Sequence, residues 1–421
     1  MSLPETIQSI TRAVQGFTFY YPLAVTHLWI VGAIFFWFRW ERGRKALLPP
    51  ELPPEPPGVT LVVPCHDEED LVEETIRNLA RQDYPLFEIL AVDDGSTDAT
   101  GRILDRLAGE ISNLRVLHFE ENQGKAMGLC RAAAASRYEY LVCIDGDALL
   151  DPGAAGWMVK HFLESPRVGA VTGNPRIRNR STLLGKVQVG EYSAIVGLTK
   201  RAQRIYGRIF TVSGAISAFR KSALAQVGYW SLDMVTEDID ISWKLQLAGW
   251  EIRFEPNALC WIRMPETISG LWKQRLRWAQ GGAEVLLRRF PDAVRWRSRR
   301  MWPILLESLS SIFWSYSLAA TIVLYLAGKA FSLPSAVKMG TFLPSWPGAV
   351  LALACLVQFG VSFFLESRYE RRLGRYFFWI VWYPLAFWLI NLLTLTAGFP
   401  RALFKKKGTR AVWTSPDRGW A

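Results

Sequence analysis

The sequence predicts an α/β domain, a mostly parallel sheet with helices on both faces, carried between α-helical transmembrane segments at both ends of the chain. Three observations predict it. Half of the 421 residues are hydrophobic, and the apolar excess gathers at the two ends, whereas residues 59–289 mix charged and apolar positions as a soluble domain does. Within that middle region short β-rich runs alternate with helical patterns. Acidic clusters then fall at the carboxyl ends of two of those runs, where open α/β sheets bind ligands.

The first apolar run, residues 17–38, is long enough to cross a hydrocarbon core of about 30 Å as a helix. It ends in Arg39-Trp40-Glu41-Arg42 instead of small cleavable residues, which favours a retained anchor over a signal peptide. Arg39, Arg42, Arg44 and Lys45 put the adjoining central region in the cytosol by the positive-inside tendency. Residues 1–45 therefore read as a transmembrane anchor and the proline-rich residues 46–58 as an extended, stiff linker.

The runs VTLVVPC, EILAVDD, LRVLHF and YLVCIDGDA are the strands of a cytosolic catalytic domain over residues 59–265. From Ile268 to about Arg289, Trp272, Leu276 and Ala279 alternate with Lys273, Arg275 and Arg277. Apolar and cationic faces on one helix suit a membrane surface, so residues 266–300 read as an interface segment. Apolar runs at 303–326, 347–365 and 376–399 make a C-terminal membrane region, 301–400, followed by a basic tail, 401–421. Three single crossings would strand Lys405, Lys406 and Lys407 on the far side, against their charge. The last run, with Pro384 near its middle, is therefore expected to be re-entrant, tilted or broken, and the tail cytosolic. A segment around 413–419 is placed to act as a movable lid.

The net charge of +11 concentrates beside the apolar runs, where it meets the anionic headgroups of a lipid bilayer. No nucleic-acid motif accompanies it, which argues against nucleic acid as a partner. The five cysteines and four histidines are dispersed, without metal-ligand or disulfide spacing.

Five motifs carry the chemistry. Residues 64–69, including Pro64 and Glu68, end the first strand, and Asp93-Asp94-Gly95-Ser96-Thr97-Asp98 ends the second. Together they make a pocket of carboxylates and backbone groups suited to a pyrimidine and its ribose; singly, the second is also an ordinary capped turn. Asp145 and Asp147, one residue apart after a buried strand, can hold one hard cation, Mg²⁺ or Mn²⁺, opposite a diphosphate. Lys125 adds a positive charge near those phosphates. In Thr236-Glu237-Asp238 the threonine is placed as a helix N-cap, and the paired carboxylates raise each other's proton affinity, which suits a general base. Gln274, Arg277 and Trp278 share a helical face, offering an amide, a cation for a diphosphate and a flat surface for a sugar.

Read in order, VPCHDEE, VDDGSTD, IDGDA, TED and QRLRW resemble the motif set of the processive family 2 glycosyltransferases, which include cellulose, chitin and hyaluronan synthases. VGAVTGNPRIR, VGEYSAIVGL, TEDIDISWKLQLAGW, WIRMPET, LWKQRLRWAQGGAEV and SPDRG are similar to the branch making β-1,6-linked N-acetylglucosamine exopolysaccharide in bacterial biofilms. The resemblance implies a GT-A fold, a UDP-N-acetylglucosamine (UDP-GlcNAc) donor, a growing polysaccharide acceptor and a divalent cation. It also implies a place in the bacterial inner membrane and a small membrane partner subunit. Carried onto this chain, it gives Asp93 and Asp94 to the uridine, Asp145 and Asp147 to UDP and metal, and the base to Asp238. Gln274, Arg277 and Trp278 go to diphosphate and acceptor. Two departures stand out: His66-Asp67 replaces the family's usual aromatic residue and Asn, and one N-terminal transmembrane run replaces two. Sister synthases of chitin-, hyaluronan- or cellulose-like polymer, and a non-catalytic sugar-binding scaffold, are the alternatives.

Overall fold

A computed structural model describes residues 3–332, 345–380, 383–406, 408 and 410; the expected lid at 413–419 lies outside them. The chain enters through helix α1 (Leu3–Phe36), which continues as a π-helical turn to Glu41. The catalytic domain then runs β1 (Val59–Cys65), α2 (Val72–Leu79), β2 (Phe87–Asp94), α3 (Thr100–Glu110), β3 (Leu114–Phe119), α4 (Lys125–Ala135) and β4 (Tyr140–Ile144). Next come β5 (Leu149–Leu150), α5 (Ala154–Glu164), β6 (Val168–Ile177), α6 (Leu183–Tyr192), a π-helical stretch Ser193–Leu198 and α7 (Thr199–Tyr206). The domain closes with β7 (Ile216–Arg220), α8 (Lys221–Gln226), α9 (Glu237–Leu247) and β8 (Glu251–Ile262). After it come α10 (Ile268–Ala293), α11 (Trp302–Ala330), α12 (Ser345–Glu366), α13 (Phe377–Ile380) and α14 (Tyr383–Phe404).

The eight strands form one sheet in the order β3-β2-β1-β4-β7-β6-β8-β5. Its first four strands are parallel, as the β/α alternation predicts. Beyond β4 the sheet is mixed, with antiparallel pairs β4–β7, β6–β7 and β5–β8 and one parallel pair, β6–β8. Side chains alternate across it because the strand period is two. Leu61, Val63, Ile89 and Val142 face α2, α3 and α5, while Val62, Leu90, Val92 and Leu141 face α4, α8 and α9. Each fully buried Leu or Val there stabilises the fold by roughly 1.5–3 kcal/mol.

The linker is docked along this domain. Leu47 N–H donates to Asn257 Oδ1 at 3.0 Å, Pro57 carbonyl accepts from Tyr84 at 2.6 Å, and Phe36 of α1 enters the second core layer. Among the described residues, three helices are long and apolar enough to cross a membrane: Glu5–Glu41, Trp296–Ala330 and Gly348–Glu366.

Where they meet the domain, charge is buried. Arg201 is fully enclosed between Glu41, 2.8 Å away, and Glu366, which also pairs with Arg176, and the Tyr369 hydroxyl donates to Glu41 at 2.5 Å. Such groups persist out of water only when paired.

The last apolar run comprises α13, up to Ile380, and α14, from Tyr383; the expected break turns on residues 381 and 382, which lie outside the described residues. Helix α14 runs beside α10, with Gly398 against Ala279 and Gln280, and Lys405 bonds Glu284 and the Asp233 carbonyl at 2.8 and 2.7 Å.

Candidate active site

Strand β4 ends at Ile144, and Asp145-Gly146-Asp147 turns across the mouth of a cavity of about 1200 Å³. Glu68, Lys125, Glu237 and Asp238 line it, and α10 contributes Gln274, Arg277 and Trp278. Gly146 lets the turn lie against β1, because a Cβ there would come within 3.2 Å of the Pro64 carbonyl oxygen. Three of the five sequence motifs, and one residue of the first, Glu68, thus converge on one space, which Pro64 does not line.

Asp93 and Asp94 do not line it. Both Asp94 oxygens accept backbone N–H groups, from Gln123 and Gly124 at 2.8 Å each. Asp93 accepts from Ser96 N–H at 3.1 Å and meets the His118 ring at 3.0 Å. Their carboxylates shape loops: Asp94 holds the turn in which Gly124, at φ 90°, launches α4 and aims Lys125 into the cavity.

Lys125 Nζ lies 2.5 Å from Asp145 Oδ1, 3.4 Å from Glu237 Oε1 and 3.3 Å from the Gly214 carbonyl. Burial alone would lower its proton affinity, but Asp145 and Glu237 outweigh that and hold it firmly charged. Asp238 is pushed up to about 6, by desolvation first and then by Glu237, with Lys125 and Arg277 pulling the other way. Burial, more than the carboxylate pair the sequence pointed to, thus raises its proton affinity toward neutral pH.

The expected N-cap holds in position but not in bonding. Thr236 precedes α9, but its hydroxyl makes no capping bond; Asp238 Oδ1 accepts from Ile239 N–H instead, at 2.9 Å. The Thr236 side chain packs on Gly281 of α10, where any Cβ would overlap it. A pair of glycines, Gly281-Gly282, was the signal for this close approach.

On α10 the Trp278 ring is backed by Arg275, which is paired in turn with Glu191 of α6. The Gln274 Oε1 is buried with no hydrogen-bond partner among the described residues, although its Nε2 reaches the Met264 sulfur at 3.9 Å. The five chemistry-bearing motifs gave no sign of a further wall: Tyr192, Ile195 and Val196, which lie in the VGEYSAIVGL run, and Lys200, from α6, the π-helical stretch and α7. Inserted π turns recur at functional sites. Ser308 and Ile312 of α11 and Leu395 of α14 extend the lining to the membrane helices.

Asp145 and Asp147 offer hard oxygen donors on an open cavity, and no group of three metal-ligating side chains occurs among the described residues. That donor set fits Mg²⁺ or Mn²⁺, which bind through one or two carboxylates and complete their shell with phosphate oxygens and water.

A mixed α/β sheet with paired carboxylates at its strand ends, a desolvated carboxylate and an aromatic and cationic helix beside membrane-length helices fit an enzyme that transfers activated sugars. The chain belongs to glycosyltransferase like family 2, whose model matches residues 56–281. It is 39% identical over 407 residues to the poly-β-1,6-N-acetyl-D-glucosamine synthase of Staphylococcus epidermidis, covering 96% of this chain and 98% of that one. The Staphylococcus aureus enzyme of the same name is 39% identical over 405 residues, with the same coverage. The fold is that of a mannosyltransferase from Pyrobaculum calidifontis, solved with GDP-mannose and Mn²⁺, at a TM-score of 0.63 and 23% identity over 95% of this chain and all of that one.

Proposed function

We propose that the chain polymerises N-acetylglucosamine from UDP-GlcNAc into a β-1,6-linked exopolysaccharide at the bacterial inner membrane, feeding the product across it. The observation that carries the reading is the convergence of Asp145, Asp238 and Trp278 on one cavity that continues to α11 and α14. The names of relatives 39% identical along nearly their whole length support this sugar and this linkage.

Asp238 takes the proton of the acceptor's 6-hydroxyl as that oxygen attacks the anomeric carbon. The new C1–O6 bond forms as the C1–O bond to UDP breaks, with inversion, and UDP leaves with the electron pair. Arg277 receives the negative diphosphate, Lys125 and Glu237 keep Asp145 and Asp238 in place, and Trp278 supports the acceptor sugar. Asp145 and Asp147 would hold a divalent ion, which when bound supplies positive charge to the leaving diphosphate. Asp93 and Asp94 contribute to the uridine side through the loops they hold. The Lys405 bonds to Glu284 and Asp233 support a tail on the catalytic side. A small membrane subunit is part of the proposed assembly, tested by co-purification.

Purified chain in lipid nanodiscs, given labelled UDP-GlcNAc and Mg²⁺ or Mn²⁺, should release UDP and build polymer cut by a β-1,6-specific hexosaminidase. Polymer resistant to that enzyme but cut by chitinase, or polymer formed only when UDP-glucose or UDP-glucuronic acid is also supplied and then cut by cellulase or hyaluronidase, would assign the chain to a sister synthase.

A further inference from the structure

Of the four lysines that line the cavity, Lys125, Lys200, Lys273 and Lys405, the first two have opposite surroundings. Lys125 sits among Asp145, Glu237 and Asp238. Lys200, in the first turn of α7, is 5% exposed and donates to Thr172 Oγ1 at 2.8 Å, its one hydrogen-bond partner among the described residues. That oxygen is shared, since Ser213 N–H also donates to it at 2.9 Å. An ammonium has three donors, so two remain unused at the cavity wall.

Stability of the fold does not account for this lysine. A buried ammonium with one neutral partner is costly, and a methionine of similar length would fill the space without that cost. The next residue is the contrast: Arg201 is fully enclosed but paired with two carboxylates. Burial pushes Lys200 down to about 7, with Asp238 pulling the other way, as for a cation lacking a partner.

The neighbours define the chemistry of the missing partner. Asp238 lines the same cavity and acts electrostatically on Lys200, which disfavours a second anion there. Ile195, Val196 and Phe210 supply an apolar wall. Neutral oxygens on a partly apolar body, the character of a sugar, suit that place, whereas the diphosphate suits Arg277.

We propose that Lys200 binds the acceptor, donating hydrogen bonds to a hydroxyl or acetamido oxygen of its terminal sugar beside the hydroxyl that Asp238 deprotonates. This rests on reading the cavity as a polymerising site.

The test uses the full chain in nanodiscs, with UDP and a β-1,6-linked N-acetylglucosamine tetrasaccharide as separate probes in calorimetry, and transfer to the tetrasaccharide as the assay. Lys200→Met should weaken tetrasaccharide binding about ten-fold or more, the effect of losing hydrogen bonds from a charged donor. UDP affinity should be unchanged and the melting temperature equal or higher, and Lys200→Gln, which keeps an N–H donor, should recover part of the binding. Unchanged tetrasaccharide affinity in Lys200→Met would overturn the proposal, as would parallel loss of UDP affinity, tetrasaccharide affinity and melting temperature, the mark of a structural strut. If wild type binds the tetrasaccharide through Lys200 without extending it, the polymerising reading fails and the binding site stands. If wild type extends it and Lys200→Met binds it normally, the reverse holds; a wild type that does neither overturns both.

Discussion

The Arg275 guanidinium carbon lies 4.3 Å from the centroid of the Trp278 ring, while Nη2 of the same side chain is 2.9 Å from Glu191 Oε2. The arginine is thus clamped between a buried carboxylate and the ring, fixing the orientation of an aromatic surface in the cavity before any sugar arrives. Preorganisation of this kind spares the acceptor the cost of ordering the ring.

Arg275→Lys keeps the charge for Glu191 but loses the flat contact. With a cation–π contact worth about 1 kcal/mol, the Michaelis constant for the tetrasaccharide should rise several-fold and that for UDP-GlcNAc should not. Arg275→Met leaves Glu191 buried without its cation and should cost roughly 3–5 kcal/mol. Equal melting temperatures for the two variants would count against the ion pair.

Because Asp238 must be ionised to accept a proton and burial raises its pKa to about 6, activity should fall as pH drops through that value and level off above it. Glu237→Gln removes a neighbouring charge that raises Asp238, so the acid limb should move to lower pH. Asp238→Asn should lower transfer by about 10²–10⁴-fold with UDP binding retained. A pH–rate profile with the acid limb unmoved in Glu237→Gln would refute the coupling.

Gly281→Ala places a methyl group against Thr236 and pushes α10 away from the turn bearing Glu237 and Asp238. Overpacking of this type costs about 1–3 kcal/mol, and turnover should suffer more than folding. Thr236→Ala in the same chain should restore part of the turnover in UDP-release assays.

Chelation with EDTA should stop transfer, and Mn²⁺ or Mg²⁺ should restore it. Asp147→Asn should raise the metal concentration needed for half-maximal rate, because one of two carboxylate ligands becomes a weaker neutral one. An Asp147→Asn titration superimposable on wild type would remove that residue from the metal site.

The parallel half of the sheet was legible because each strand is a short apolar run closed by a carboxylate or a glycine. Its mixed half was not: β6 to β8 pair across long separations, and nothing in VGAVTGNPRI announces whether its neighbour runs parallel or antiparallel. In the cavity, Asp145, Asp238 and Trp278 were found because paired carboxylates and an Arg/Trp helix have a local signature. Asp93 and Asp94 carry the same signature, yet both Asp94 oxygens turn to N–H groups of the loop at 122–124, some thirty residues away, while those of Asp93 meet Ser96 N–H and the His118 ring. Lys200 and Glu191 were invisible for a related reason: a charged residue in a helical pattern reads as solvated until tertiary packing buries it.

The enclosed charges of Arg201, Glu41, Glu366 and Arg176 tie the two ends of the protein to its middle. Cutting the chain in the linker would take Glu41 from Arg201, and cutting it ahead of α11 would take Glu366 from both Arg201 and Arg176, leaving buried guanidinium charge under-compensated. The sugar-transferring domain is therefore not a detachable soluble module: it is chemically complete only when the anchor and the second C-terminal helix have been synthesised and docked, so that catalytic competence arrives together with membrane integration.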